Sequence, residues 1–111
     1  MNTEDSIRTK YCGELNISNV GEIISVAGWV HRRRDHGGVI FVDLRDTSGL
    51  LQLVFNPEDK DLFSQAEKFR SEFVLSVTGI IRKRPEGTIN PEMPTGEIEL
   101  LAQSGHVLNV S

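Results

Sequence analysis

The chain has 111 residues, 38% of them hydrophobic and 25% charged, and its formal net charge is −4. This length suits one domain with a hydrophobic core, spanning residues 1–111, and is short for a two-domain enzyme. The composition is typical of a soluble globular protein, and no apolar run approaches the roughly 20 residues that a membrane-spanning helix needs.

The chain begins with a polar stretch, residues 1–10, which we expect to be flexible. It contains Glu4 and Asp5 and lacks the basic start and apolar middle of a secretory signal. Cys12 is the only cysteine, which excludes an internal disulfide and a metal site built from several cysteines. These features favour a reducing, cytoplasmic location.

Three strands are predicted next, each bounded by turn residues. β-branched and apolar residues indicate a first strand at 23–30, which runs into three consecutive arginines. After a turn at 35–38, alternation predicts a second strand at 39–45. A turn at 47–49 then leads to a third strand at 50–55. These three strands form a meander.

A helix of about three turns is predicted after the third strand. Asn56 supplies an N-cap and Pro57 the first helical position. The apolar residues of the segment recur at i, i+4 and i+7, namely Leu62, Ala66 and Phe69.

Two further strands are predicted at 73–83 and 97–103, separated by a loop rich in proline and glycine. Five strands with a helix between the third and fourth is the order of the OB-fold, a Greek-key barrel that binds oligonucleotides. We therefore predict an all-β, five-stranded OB-fold barrel. Because small barrels have many unrelated functions, the site must indicate which one applies.

Alternation along the strands predicts which side chains share the outer face of the barrel. On the second strand Ile40, Val42 and Leu44 face the core, so Phe41 points outward. The same reasoning adds outward side chains on the later strands, namely Gln52, Arg82, Arg84 and Glu99. The net acidity argues against general binding to nucleic acid, but the basic residues form two clusters, at 32–34 and 82–84. A solvated strand end is the alternative for either cluster.

This outward set suits recognition of unstacked bases. A ring stacks on a base for roughly 1–3 kcal/mol. An amide offers a base edge both a donor and an acceptor, and arginines hold phosphates. Glu99 would accept hydrogen bonds from a guanine edge. The plainer alternatives are a Phe41 covered by a loop, a solvated Gln52 and a Glu99 that is only a surface charge, but their coincidence on one face favours base recognition.

Patterns typical of enzymes are missing from the sequence. Asp35 and His36 lie near Asp43 and Asp46, but there is no zinc-protease motif, paired Cys-His spacing or glycine-rich phosphate loop. We expect no catalytic residue, metal site or cofactor in this chain. Asp46 is expected to stabilise the turn that follows it, and Asp43 to hold an arginine.

A set of short motifs extends over nearly the whole chain from Tyr11. In order, they are Tyr11-Cys12-Gly13-Glu14-Leu15, Gly28-Trp29-Val30, Arg32-Arg33-Arg34-Asp35-His36-Gly37-Gly38, Ile40-Phe41-Val42-Asp43-Leu44-Arg45-Asp46, Gly49, residues 70–73, Val77-Thr78-Gly79, Arg82, Arg84 and Thr95-Gly96-Glu97-Ile98-Glu99. In these motifs the chain resembles the N-terminal domain of bacterial aspartyl-tRNA synthetases. The run of three arginines followed by Asp-His-Gly-Gly favours this family over the lysyl and asparaginyl synthetases.

The resemblance implies an OB barrel that binds the anticodon loop of a tRNA. In this family a separate class II catalytic domain joins aspartate to the tRNA with ATP and magnesium. No class II motif occurs in the sequence, so we expect the catalytic domain to lie outside this chain. The full-length parent is expected to be an aspartate-tRNA ligase and a homodimer, whereas this domain alone is non-catalytic.

The resemblance also implies individual roles. Phe41 stacks on the central uracil of the anticodon, with polar contacts from Gln52 and Arg34 beside it. Three residues are expected to help read the outer bases, namely Arg84, Asn90 and Glu99. Three arginines are candidates for phosphate or loop contacts, namely Arg32, Arg70 and Arg82.

Two positions bear on specificity. Family members that also aspartylate the asparagine tRNA tend to have a histidine after the Arg-Arg-Arg-Asp run and a glycine in the loop after the fourth strand, as His36 and Gly87 do here. Because the two anticodons differ only in their third base, a small loop around Gly87 would tolerate both. Thr88 replaces a polar amide residue of many strict enzymes. We predict dual specificity, with strict aspartate specificity as the alternative.

Two other classes of function remain alternatives. A general single-strand-binding OB protein would use several aromatics along its groove, whereas most of the seven aromatic residues here occupy predicted core positions. A protein-interaction module would need none of the outward set. In that case, replacing Phe41 with alanine would leave tRNA binding unchanged.

Overall fold

The computed structural model describes residues 10–85, 88–89 and 95–109. Its five strands are β1 (Ile23–His36), β2 (Val39–Asp46), β3 (Gly49–Phe55), β4 (Val74–Lys83) and β5 (Ile98–Asn109). They close into a barrel in the order β1-β2-β3-β5-β4, with β4 pairing back to β1. Among these five described strands, β3 and β5 pair in parallel and the other neighbours pair antiparallel. The predicted five-stranded barrel is confirmed, while the expectation of a flexible stretch at 1–10 falls almost wholly outside the described residues.

Two short 3-10 helices, Cys12–Glu14 and Ile17–Asn19, precede β1, and one α-helix, α1 (Lys60–Ala66), connects β3 to β4. In the described part of the chain, no helix is long and apolar enough to cross a membrane. The inward side chains that alternation predicted on the second strand, Ile40, Val42 and Leu44, are buried in one core. The inward side chains of the later strands join them there, namely Leu51, Leu53, Phe55, Leu75, Val77, Ile81, Ile98 and Leu100. The side chains that can form a binding site therefore lie on the outer faces of the same strands.

The hairpin between β1 and β2 is as tight as two strands allow. His36 pairs with Val39, so only Gly37 and Gly38 form the loop. Their φ angles are +61° and +81°. A two-residue hairpin with positive φ at both loop positions suits the right-handed twist of the strands, and glycine adopts it without strain. The hairpin thereby fixes which β1 residues lie opposite which β2 residues.

A bulge in β1 decides where the three arginines point. The pairing with β2 shifts between Val30 and Arg32 and skips His31. An extra residue in one strand reverses the alternation beyond it. Val30 faces the core, and simple alternation would send Arg32 and Arg34 into the core as well. Because of the bulge, both arginines instead share the outer face with the outward side chains of β2.

Arg33, the middle arginine, has a structural role. Its Nη1 donates hydrogen bonds to the carbonyls of Ala66 and Glu67 at 3.3 and 2.5 Å. Its Nη2 also lies 3.6 Å from Asp35 Oδ2. The last carbonyls of a helix have no partner within the helix and carry partial negative charge, so a cation there is favourable. Arg33 therefore caps the C-terminal end of α1.

Replacing Arg33 with alanine is expected to lower the free energy of unfolding by about 1–2 kcal/mol, because the Glu67 carbonyl loses the guanidinium donor and the Ala66 carbonyl keeps only the Phe69 amide. Urea denaturation measures this difference. The matched control is Arg32→Ala, which removes an exposed neighbouring arginine and should change stability by less than about 0.5 kcal/mol. Equal losses in the two variants would contradict the capping role.

The helix starts later and is shorter than predicted. Asp59, not Asn56, is the N-cap, and its Oδ1 accepts a hydrogen bond from the Leu62 amide at 3.2 Å. Asn56 Oδ1 instead accepts from the Glu58 amide at 3.0 Å, closing a turn directly after β3. The predicted start at Asn56 is wrong because asparagine stabilises such turns as readily as it caps helices. Phe69 lies beyond the helix but is buried, as its spacing indicated.

Strand β5 is longer than predicted. It was expected to end near Gln103 but runs to Asn109, because the ladder with β4 skips Gln103 and then continues. This second bulge interrupts the alternation by which a strand is recognised in a sequence. Gly79 lies at this point, where an added Cβ would be 2.1 Å from the carbonyl oxygen of Leu101. The two strands approach too closely there for any other residue to fit without movement.

Candidate nucleic-acid interface

A row of polar side chains crosses the outer face of all five strands. It consists of one residue from each strand, in sheet order Arg34, Asp43, Gln52, Glu99 and Arg82, and we call it the polar network. Arg34 pairs with both carboxylate oxygens of Asp43, at 2.8 and 3.2 Å. Its Nη2 also donates to Gln52 Oε1 at 2.8 Å.

The second half of the polar network centres on Glu99. One of its oxygens accepts a hydrogen bond from Gln52 Nε2 at 2.9 Å, and the other accepts from Arg82 Nε at 2.6 Å. Asp43, Gln52 and Glu99 are 7%, 5% and 2% exposed. Burying a carboxylate is unfavourable unless it is paired, and both carboxylates here face an arginine. Side-chain alternation therefore predicted correctly that Gln52 and Glu99 lie on the outer face, but it did not predict that they are buried there.

Two cavities meet beside Phe41, whose ring is partly exposed. The larger has a volume of about 320 Å³ and is lined by Arg34, Asp35, His36, Phe41, Gln52 and Thr88. The smaller has about 160 Å³, and Phe41, Gln52 and Thr88 line it too. An aromatic surface beside amide, carboxylate and guanidinium groups can stack on a base and hydrogen-bond its edge.

The smaller cavity has further walls that we did not single out from the sequence. They are the outward side chains Val39, Val54 and Asn56, together with Pro85. The alternation on β2 and β3 carried the signal for Val39 and Val54, since both are apolar residues on the outer face. An apolar wall next to Phe41 favours a flat, poorly hydrated ligand in this cavity.

Arg84 is not the accessible outward cation that alternation predicted. Its side chain is only 6% exposed, with Nε donating to the Ile98 carbonyl at 2.9 Å and Nη1 to the Thr88 carbonyl at 3.3 Å. Burial lowers the pKa of Arg84, although the charges of Glu99 and Asp43 oppose that shift. The residue thus holds Thr88, which lines both cavities.

The remaining predicted site residues are dispersed. His36 lines the larger cavity. Arg32 is exposed on the outer face of β1, beside Asp43. Arg70 is exposed beyond α1 and is not among the residues that line either cavity. Gly87 and Asn90 lie outside the described residues. Among the residues that the structure does describe, no group of three or more His, Cys, Asp or Glu side chains is placed to hold a metal ion.

The sequence matches the tRNA anti-codon family of OB-fold nucleic acid binding domains over residues 24–108, which contain the whole polar network and Phe41. The chain belongs to this family. The OB-fold inferred from the order of the strands is thereby confirmed, and relatives that are 57% and 59% identical confirm the resemblance to anticodon-binding domains of aspartyl-tRNA synthetases.

Relatives and solved structures agree with this assignment. Proteins named Aspartate--tRNA(Asp/Asn) ligase from Legionella pneumophila (strain Corby) and Rubrobacter xylanophilus are 57% and 59% identical over 105 and 104 residues. These matches cover 95% and 94% of this chain but only 18% and 17% of the relatives. The asparaginyl-tRNA synthetase structure from Pyrococcus horikoshii is 26% identical, with a TM-score of 0.79, covering 95% of this chain and 24% of that one.

The aspartyl tRNA synthetase structure from Entamoeba histolytica superimposes with a TM-score of 0.83 over 96% of this chain and 22% of that one. Its sequence is only 16% identical, so it supports the fold alone. The barrel is thus shared by sequences that have diverged widely. The 57% identity to the ligase from Legionella shows a closer relation, because more than half of the aligned residues are the same.

Proposed function

We propose that this chain is the anticodon-binding domain of an aspartate-tRNA ligase that accepts both the aspartate and the asparagine tRNA. The observation that carries the proposal is the 57% identity, over 95% of the chain, to a relative whose name includes both tRNAs. The site supports it, because Phe41 and the polar network offer stacking and hydrogen-bonding groups to single-stranded bases.

In the proposed complex, the Phe41 ring stacks on the central uracil of the anticodon and Gln52 contacts its edge. The side chains of Arg34 and Arg82 are 34% and 43% exposed, and each guanidinium group has N–H donors beyond those used in the polar network, so both can donate to phosphate or base oxygens. Glu99 uses its remaining lone pairs toward an outer base. Contacts from Arg32, Arg70, Arg84 and Asn90 remain predictions.

Dual specificity is assigned to the surroundings of the third anticodon base. His36 and Thr88 line the larger cavity, and the Thr88 carbonyl is held by Arg84. Both cytosine and uracil must fit there, so this part of the site should make few contacts that distinguish a donor from an acceptor at the base edge. Gly87, one residue before Thr88, remains the predicted source of tolerance in this loop.

Catalysis belongs, in this proposal, to the part of the ligase outside this chain. A class II domain would activate aspartate with ATP and magnesium, in a cytoplasmic homodimer. In the polar network the two carboxylates, Asp43 and Glu99, are each paired with an arginine. The contribution of this chain is to bind the anticodon end of the tRNA and so orient the tRNA.

A binding titration with three anticodon stem-loops tests the proposal. They carry the aspartate anticodon, the asparagine anticodon, and the aspartate anticodon with its central uracil replaced by adenine. Fluorescence anisotropy at fixed low salt is suitable, because affinity for RNA depends on ionic strength. The first two should bind within about threefold of each other, and the third at least about tenfold more weakly.

Equal binding of all three would contradict anticodon recognition and indicate a general single-strand binder. A strong preference for the aspartate stem-loop would contradict dual specificity alone, and aminoacylation by the full-length ligase gives a second measurement of it. The ligase should charge both tRNAs with kcat/KM values within about tenfold.

A further inference from the structure

We infer that the polar network fixes the orientation of the Gln52 amide, and that this fixed amide makes the site select uracil over cytosine at the central base. Asp43 and Glu99 are then positioning residues for that choice. This inference deepens the proposed function and rests on it. It starts from the two hydrogen bonds that hold the amide from opposite sides.

The orientation of the amide follows from the chemistry of its neighbours. Arg34 has only donors, so the group of Gln52 that faces it must be the carbonyl oxygen. Glu99 as a carboxylate has only acceptors, so the group that faces it must be the amide nitrogen. The distances are 2.8 Å to Arg34 and 2.9 Å to Glu99. A flipped amide would set oxygen against carboxylate and nitrogen against guanidinium.

Arg34 and Glu99, the two neighbours of the Gln52 amide, are each held in place by a further residue of the polar network. Arg34 is fixed by two hydrogen bonds to Asp43, and Glu99 by its bond to Arg82. Asp43, Gln52 and Glu99 are each less than a tenth exposed. Water therefore has little room to compensate a flipped amide, and a mismatched pair in a buried site is more unfavourable than one in solvent.

The held amide still has binding capacity for a base. One N–H and one oxygen lone pair of Gln52 are not used by Arg34 and Glu99. Uracil presents its N3–H donor next to a carbonyl acceptor, which matches an amide oxygen beside an amide nitrogen. Cytosine presents an acceptor at N3 beside a donor at N4, the reverse order. With the base position fixed by stacking on Phe41, an amide free to flip would serve either pyrimidine, whereas a fixed one serves uracil.

Two variants weaken the hold on the amide without removing Gln52. Glu99→Gln introduces an amide that can donate to a flipped Gln52 as easily as accept from the native one. Asp43→Asn removes the carboxylate that holds Arg34. The matched control is Glu97→Gln, which removes the same charge from an exposed position two residues away. The whole 111-residue chain is titrated with aspartate stem-loops that carry central uracil or central cytosine.

The readout is the ratio of the two dissociation constants, which does not depend on the fraction of folded protein because both RNAs meet the same sample. We expect the preference for uracil to fall about tenfold in Glu99→Gln and about threefold in Asp43→Asn. Glu97→Gln should retain the wild-type ratio. Thermal unfolding shows whether each variant folds. If Glu99→Gln does not fold, the ratio measured for Asp43→Asn tests the inference.

The outcomes separate this inference from the proposed function. A wild-type preference for uracil that both variants retain in full would overturn the inference and leave anticodon recognition standing. A wild-type chain that binds both stem-loops equally would overturn central-base recognition, and the inference with it. A uniform loss of affinity for both RNAs, with the ratio unchanged, would assign Asp43 and Glu99 a merely structural role.

Discussion

Replacing Phe41 with alanine is expected to weaken binding of the aspartate anticodon stem-loop by about tenfold to a hundredfold, since stacking on an aromatic ring contributes roughly 1–3 kcal/mol per base. Phe41 is the ring that lines both cavities. Its loss removes the stacking surface and leaves Gln52 without a fixed base plane to contact. Fluorescence anisotropy with labelled stem-loop measures the change.

Two further substitutions separate stacking from simple apolar contact. Phe41→Tyr keeps the ring and should bind within about threefold of the wild type, whereas Phe41→Leu keeps apolar bulk and should show most of the loss. Phe41 lies outside the buried core, so the alanine variant should lose less than about 1 kcal/mol of stability. Unchanged RNA binding by Phe41→Ala would favour a protein-interaction module.

Replacing Asp46 with alanine is expected to lower the free energy of unfolding by about 2–4 kcal/mol, because hydrogen bonds to a charged group are lost and buried donors remain. The carboxylate accepts from the amides of Cys12, Ser48 and Gly49 at 2.7, 2.8 and 3.2 Å, and from Ser48 Oγ at 2.6 Å. It thus joins the segment before β1 to the β2–β3 turn. Urea denaturation at neutral pH measures the loss.

The same carboxylate should make stability depend on pH. Burial raises the pKa of Asp46, but hydrogen bonds from Ser48 and Cys12 outweigh burial, and the pKa lies below its ordinary value. A folded-state pKa below the unfolded value of about 3.9 gives stability that is present above that pH and lost as pH falls through the folded pKa. Asp46→Asn should therefore lose less stability than the wild type between pH 6 and strong acid, about 3 and below. Parallel pH profiles for the two proteins would contradict this assignment.

Side-chain alternation was sufficient to predict the part of the site that lies on β2 and β3. These strands are short, regular and joined by a tight turn, so a period of two holds from end to end. Phe41 could therefore be placed opposite the core residues Ile40 and Val42 without a structure. Asp46 could likewise be assigned to its turn, because aspartate before Thr-Ser-Gly readily accepts the turn amides.

Alternation could not place Arg34, because the bulge at His31 reverses it and no residue type marks a bulge in a sequence. The resemblance to a family supplied that position instead. The prediction of where α1 starts was wrong for a related reason. Asn56 and Asp59 are both good N-caps, and only the packing of Leu62 and Ala66 decides between them. Local signals indicated that a helix exists but not its first residue.

The burial of Glu99 also could not be predicted from the sequence. It depends on the pairing of β5 with both β3 and β4, strands that lie far apart along the chain. A glutamate that alternation directs outward is ordinarily solvated, and only the closure of the barrel brings Gln52 and Arg82 against it. Burial of a charged side chain is thus a property of topology rather than of local pattern.

The bulge in β1 contains one residue that the ladder with β2 does not pair. Deleting His31 would join Val30 directly to Arg32 and leave Arg32 opposite Asp43, as it is now. Arg32 and Arg34 would then keep the outer face, and Arg33 would keep its place at the end of α1. The faces of the three arginines are therefore set by their pairing with β2 and not by counting residues from Val30, so an unbroken run of arginines does not by itself specify which of them reaches the outer face.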